Sequence, residues 1–323
     1  MGFKLLILEE GAALHENLLK SWPPVLKERV PGIEVVYCSS VAEAAGVVEE
    51  CDAAFGDIVP ELFSRAKKLR WIEAPHAGPK AGYYHDQLVN SEVVVTNFRG
   101  IYNDHLSIHA MMFVLAFAKG LHVHLKNQRD HMWQKSAAIV HLPDAAALIV
   151  GLGGVGAETA RLCGEFGMRV VAVDPRVTDP PKWVSKLSTP DKLDVLLPEA
   201  DFVIVTVPET PQTQRLFTRE KFKMMKSTAF FINIGRGKTV VLDDLVRALN
   251  DGEIQGAGLD VYEIEPLPVD HPLWEMPNVM MTPHVAAWGP YTDERRTELL
   301  VENCVRFNEG KELLNIVDKN NWF

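Results

Sequence analysis

Three short segments in the second half of the chain carry an arginine, a glutamate and a histidine where each could act on a substrate. They are Ile232-Asn233-Ile234-Gly235-Arg236-Gly237, Leu259-Asp260-Val261-Tyr262-Glu263-Ile264-Glu265-Pro266, and Thr282-Pro283-His284-Val285-Ala286. A guanidinium can hold a carboxylate at two points. An imidazole can exchange a proton with an alcohol or carbonyl oxygen near neutral pH, and a carboxylate on its other ring nitrogen would favour the charged ring. Each segment follows an apolar run and enters a loop rich in structure breakers, so all three can meet at the carboxyl edge of one parallel sheet. Taken singly, an Arg between glycines, a Glu before Pro and a His after Pro are more often structural. Their meaning depends on what else the chain places beside them.

A second motif supplies that context. Ala147-Leu148-Ile149-Val150 reads as a strand, Gly151-Leu152-Gly153-Gly154-Val155-Gly156 as a G-x-G-x-x-G turn opening a helix, and Arg169-Val170-Val171-Ala172-Val173 as the next strand, ending on Asp174. Gly151 permits a tight turn, Gly153 lets backbone approach a pyrophosphate, and Gly156 lets helix pack closely on strand. The free amides at the helix start, around Gly154 and Val155, favour phosphate. Asp174 lies 21 residues after Gly153, where a carboxylate can accept both hydroxyls of an adenosine ribose. A 2'-phosphate would meet like charge there, which points to NAD over NADP, although Arg176 could pair with the extra phosphate.

These elements need a scaffold, and 323 residues allow two domains with separate cores. An apolar content of 47% is that of an ordinary globular protein, and a formal charge of -10 without a Lys/Arg block excludes nucleic acid and anionic membrane as main partners. Cys38, Cys51, Cys163 and Cys304 show no C-x-x-C spacing and read as small buried residues of a reducing compartment. The apolar run Phe3 to Leu8 ends in Glu9-Glu10 and reads as a first strand, and Ala110 to Ala118 is too short to span a bilayer. A cytoplasmic protein is expected.

Short apolar runs at Lys4-Leu8, Ile33-Tyr37, Asp52-Gly56, Arg70-Glu73 and Val93-Thr96 predict strands separated by helical segments, hence α/β class with parallel sheet. The loop Ala74-Pro75-His76-Ala77-Gly78-Pro79 follows one of them, at a position suited to ligand contacts. Leu106, Ala110, Phe113, Val114 and Phe117 recur at helical spacing and predict a long connector helix. His105 and His109 share a face of it, yet no third ligand follows and no metal site is expected. Further strands are predicted at Asp201-Val207, Ala229-Ile234, Gly256-Asp260 and Val279-Thr282, with helices near Thr218-Met225 and Leu242-Asn250. Thr292 reads as the N-cap of a last helix that closes at Gly310.

With Asn233-Ile234-Gly235-Arg236-Gly237, Gly258-Leu259-Asp260-Val261 followed by Glu265-Pro266, and Pro283-His284 in this order, the chain resembles the D-isomer-specific 2-hydroxyacid dehydrogenase family. The resemblance implies two doubly wound, Rossmann-like domains. The smaller is a substrate domain made of residues 1–102 and completed by residues 291–323, and residues 103–290 form the NAD-binding domain. It implies Arg236 as substrate-binding arginine, His284 as acid/base and Glu265 as its partner. Asp260 would orient the nicotinamide amide, Pro208 would lie by the nicotinamide, and amides at Ala77 and Gly78 would hold the substrate carboxylate. A homodimer acting on a small 2-oxo or 2-hydroxy acid is the further expectation. Trp288 adds bulk near the expected pocket. Ile108 stands where the family usually has an acid before the helix histidine, and Glu265 stands where related formate dehydrogenases carry Gln. The C-terminal-binding corepressors, nucleotide sensors that also resemble this family, are the alternative of a different class.

Overall fold

The structure is a computed structural model that describes residues 2–12, 14–78, 82–135 and 137–322. Pro79, in the loop singled out above, lies outside these. The chain forms two compact units, Met1–Ile101 with Gly289–Phe323, and Tyr102–Trp288.

The first unit holds a parallel sheet of β1 (Lys4–Leu8), β2 (Glu34–Cys38), β3 (Ala53–Phe55), β4 (Trp71–Ala74) and β5 (Val94–Asn97), in the order β2-β1-β3-β4-β5. Strands covered on both faces need apolar residues on both, and Leu5 to Leu8 are all buried. The helix Glu16–Arg29 contains Pro23 and Pro24, yet Trp22 anchors it, fully buried and edge-on to Phe55 at 4.8 Å. The helix Thr292–Glu309 packs on the same unit, where Trp22 Nε1 donates to Thr297 Oγ1 at 2.9 Å and Arg29 grips Glu298 through two bonds of 2.6 and 2.8 Å. Beneath it, Glu73 of β4 accepts from Thr96 Oγ1 at 2.7 Å and Asn303 Nδ2 at 3.0 Å.

One expectation about this last helix is corrected. Thr292 is its first residue and not its N-cap. Tyr291 occupies the cap at φ 67°, and the Thr292 hydroxyl donates backwards to Gly289 O at 3.0 Å instead of accepting from the first turn. Gly310 ends the helix in the left-handed conformation at φ 68°, which glycine adopts without strain.

The second unit holds seven parallel strands: β6 (Ala146–Val150), β7 (Arg169–Val173), β8 (Val184–Ser188), β9 (Phe202–Val205), β10 (Phe230–Asn233), β11 (Gly256–Leu259) and β12 (Val279–Met281). Their order is β12-β11-β10-β9-β6-β7-β8. The chain runs outward from β6 to β8 and then crosses back to β9, so the strand order reverses at β6, where ligands of open α/β sheets bind. Along β6, Ala147 and Ile149 enter the core beneath the helix Asn103–Ala118, and Leu148 and Val150 enter the core on the opposite face. That helix belongs to this unit, with Ala110, Phe113, Val114 and Phe117 buried and Phe117 stacked on Phe230 at 4.5 Å.

All four cysteines are free and buried. Among the described residues, no single helix is long and apolar enough to cross a membrane.

Candidate active site

The glycine turn sits between β6 and the helix Gly154–Glu165. Gly151 takes φ 96°, and a Cβ on Gly156 would lie 1.9 Å from Gly151 O, so both positions require glycine. A Cβ on Gly153 would meet nothing within 4 Å, which leaves open space above the turn. Gly153 is also the N-cap and supplies no side chain to the helix, so the amides of the first turn have no capping side chain among the described residues. Gly154 is hemmed by Asn103, whose amide nitrogen would be 2.5 Å from an added Cβ. A bare helix start under an open glycine turn fits a pyrophosphate.

Asp174 stands buried at the end of β7, and its carboxylate ties the neighbouring loops together. It accepts from Leu152 N at 2.8 Å, Arg176 N at 2.8 Å and Val177 N at 3.0 Å. A carboxylate has about four acceptor positions, so little capacity remains beyond these three donors. Sequence reasoning gave Asp174 to a ligand and missed this bracing of the glycine turn.

Arg236, Glu265 and His284 follow β10, β11 and β12, at the same edge of the sheet. Asn233 Nδ2 and Thr239 Oγ1 both donate to Arg236 O, at 3.1 and 2.6 Å, and Arg236 Nη1 donates to Gly235 O at 2.8 Å. Burial pushes the Arg236 guanidinium below its ordinary value, opposed by the charges of Glu209 and Glu265. His284 Nδ1 lies 2.7 Å from Glu265 Oε2, and Glu265 Oε1 accepts from Tyr262 N at 2.9 Å. Burial acts to raise the Glu265 carboxyl, but hydrogen bonds from His284 and Tyr262 and the charges of His284 and Arg236 outweigh it, and the net shift is downward. A cleft of about 530 Å³ opens beside the pair, with Tyr262, Leu267, Trp274, Met281 and Pro283 among its walls.

The loop carrying His284 is held by Asp260, which is 1% exposed. Its carboxylate accepts from Thr282 Oγ1 at 2.6 Å, Val285 N at 2.9 Å and Ala286 N at 2.9 Å. Its carbonyl accepts from His284 N at 2.8 Å, and His284 itself takes φ 56°, a left-handed conformation that costs a non-glycine residue energy. The aspartate thus over-determines a strained position. His109, read above as a histidine without a metal partner, places Nε2 2.8 Å from Thr282 Oγ1. No group of three or more metal-ligating side chains occurs among the described residues.

Pro208 follows β9, its carbonyl accepting from Thr213 Oγ1 at 2.6 Å. Trp288 ends the second unit with 78% of its surface exposed. In the first unit, Ala77 and Gly78 follow β4, and Ala77 O accepts from Asn97 Nδ2 at 3.3 Å.

Known proteins match both the sequence and this architecture. A family model described as D-isomer specific 2-hydroxyacid dehydrogenase, NAD binding domain, matches residues 111–286. A glyoxylate reductase of Korarchaeum cryptofilum is 33% identical over 282 residues, covering 84% of each chain. A solved D-isomer specific 2-hydroxyacid dehydrogenase from Xanthobacter autotrophicus Py2, in complex with NADPH and MES, superposes with a TM-score of 0.86 at 28% identity, covering 98% of this chain and 99% of its own. An NADPH-dependent glyoxylate/hydroxypyruvate reductase from Sinorhizobium meliloti, in complex with NADP and sulfate, gives a TM-score of 0.83 at 27% identity, covering 99% of this chain and 100% of its own. The chain belongs to the D-isomer-specific 2-hydroxyacid dehydrogenase family of oxidoreductases.

Proposed function

We propose that the protein reduces a small 2-oxo acid of the glyoxylate or hydroxypyruvate type to the D-2-hydroxy acid, with NADH as reductant. When bound, the nicotinamide supplies the hydride. Arg236 holds the substrate carboxylate and polarises the keto oxygen. His284 Nε2 gives a proton to the alkoxide as it forms, with Glu265 holding the opposite ring nitrogen. Amides at Ala77 and Gly78 take part in holding the carboxylate, Trp288 borders the substrate, and Pro208 and Asp260 flank the nicotinamide. The observation that carries the reading is the 2.7 Å bond between His284 Nδ1 and Glu265 Oε2, the arrangement of an oriented proton donor.

NADH is favoured over NADPH because Asp174 places a negative charge at the end of β7, where a 2'-phosphate would be repelled. The Xanthobacter relative holds NADPH and the Sinorhizobium relative NADP, so the two reductants are compared directly in the experiment below. Assembly as a cytoplasmic homodimer belongs to the same proposal.

The experiment is oxidation of NADH and of NADPH by the purified protein against glyoxylate, hydroxypyruvate, pyruvate, phenylpyruvate and 2-oxoisocaproate. Turnover of glyoxylate or hydroxypyruvate with NADH supports the proposal. Turnover restricted to larger acids or to NADPH replaces its substrate or its cofactor. Tight NADH binding with no turnover would favour a sensing role of the corepressor kind.

A further inference from the structure

We infer that His109 and Thr282 are positioning residues for His284, acting through the carboxylate of Asp260. The inference rests on the reading of His284 as proton donor given above. It starts from the hydrogen count at Thr282. A hydroxyl has one proton to give, and the 2.6 Å contact to Asp260 Oδ1, an oxygen that also accepts from Val285 N, assigns it there. Thr282 Oγ1 can then only accept from His109 Nε2 at 2.8 Å, so Nε2 carries the hydrogen in the neutral ring. The result is a run of donors from the helix Asn103–Ala118 through Thr282 to Asp260, whose carboxylate also accepts from the Val285 and Ala286 amides next to His284.

Each member is fixed from outside the loop. The His109 ring stands edge-on to Phe113 at 5.2 Å and is mostly buried, with 14% of its side chain exposed. Burial acts to keep this ring neutral, and Asp260, 3.6 Å from Nε2, opposes it. Thr282 follows β12, where its N–H donates to Leu259 O at 2.9 Å and its carbonyl accepts from Tyr262 Oη at 3.0 Å. Without a donor to Thr282, its hydroxyl loses the partner that aims its proton at Asp260. The carboxylate then has freedom to turn away from the two amides, and the left-handed turn at His284 loses the bonds that oppose its strain. Displacing a proton donor by an ångström is enough to slow a reaction up to about a hundredfold.

The test compares the full-length protein with H109F, H109Q and T282V, reading kcat and KM for the 2-oxo acid, NADH affinity, and amide exchange at Val285 and Ala286 without substrate. T282V keeps the shape of the side chain and removes only the hydroxyl. The expected result is a loss in kcat of roughly ten- to a hundredfold in H109F and T282V, with NADH affinity retained and faster exchange at both amides. H109Q, which restores an amide donor near the same point, recovers most of both. Wild-type kcat and exchange in H109F and T282V overturn the inference. So does a loss in H109F that H109Q fails to restore while melting temperature falls in both. A wild-type protein without turnover on any 2-oxo acid overturns the proposed function instead, and the exchange measurement still decides whether His109 and Thr282 order the loop.

Discussion

Glu265 Oε2 and His284 Nδ1 lie 2.7 Å apart, and the bond between them leaves Nε2 as the ring nitrogen that can meet a substrate. The pair sets the first expectation. Glu265→Gln keeps the size of the side chain and removes the charge that favours the imidazolium. Reduction should slow across the pH range, because the His284 ring loses the carboxylate that orients it. A profile that coincides with the wild type from acid to alkaline pH would sink the pairing.

Removing the imidazole is the harsher variant. For His284→Ala, loss of a general acid predicts a fall in kcat of about 10²- to 10⁴-fold. NADH binding, followed by fluorescence, should change little because the glycine turn lies at the end of β6 and is untouched. Retained turnover at the wild-type rate is the result that removes His284 from the mechanism.

Cofactor choice isolates a single charge. Asp174→Asn keeps an oxygen that can go on accepting from Arg176 N and Val177 N, gives up the bond from Leu152 N, and removes the negative charge. The ratio of kcat/KM for NADH to that for NADPH should drop by about tenfold, the equivalent of roughly 1.4 kcal/mol. A ratio that stays where it was would assign discrimination to another residue.

Stability should depend on pH through Glu73. Burial pushes this carboxyl up from 4.5 to about 7, against hydrogen bonds from Asn303 and Thr96 that lower it. The folded protein therefore keeps the proton that the unfolded chain releases near its ordinary value. The stabilisation is complete at low pH and is lost as pH rises from about 4.5 through about 7. Relative to Glu73→Gln, the wild type should lose roughly 3 kcal/mol across that range, read from urea unfolding at several pH values. Parallel curves for the two proteins would show that Glu73 is ionised in the fold at every pH tested.

Much of the scaffold was readable because parallel strands buried on both faces announce themselves as apolar runs, as Leu5 to Leu8 and Ala147 to Val150 do. The strand β8 was not readable. It lies at the edge of its sheet, and Val184-Ser185-Lys186-Leu187-Ser188 buries only its first residue, so it carries no such run. The helix Glu16–Arg29 was hidden by Pro23 and Pro24, which argue locally against a helix, while Trp22 secures it through packing that only the fold supplies. At the candidate site the sequence pointed to residues by type. It was silent on Asp174 and Asp260 as braces, because their partners are backbone amides, and every residue has one. Thr282 and His109 were equally silent, since a hydroxyl and an imidazole 173 positions apart carry no spacing signal.

The division of the first unit between the two ends of the chain bears on how the protein is made. Glu73 finds Asn303 and Trp22 finds Thr297 only after the whole unit Tyr102–Trp288 has been made. At about 5–20 residues per second, the 200 or so residues between the two parts impose a wait of roughly 10–40 s. Throughout that time the first sheet carries a buried-type glutamate and a tryptophan without their partners, and by its end the unit Tyr102–Trp288 has all of its strands. The larger unit can thus be finished first, and the helix Thr292–Glu309 then completes the unit that was begun first.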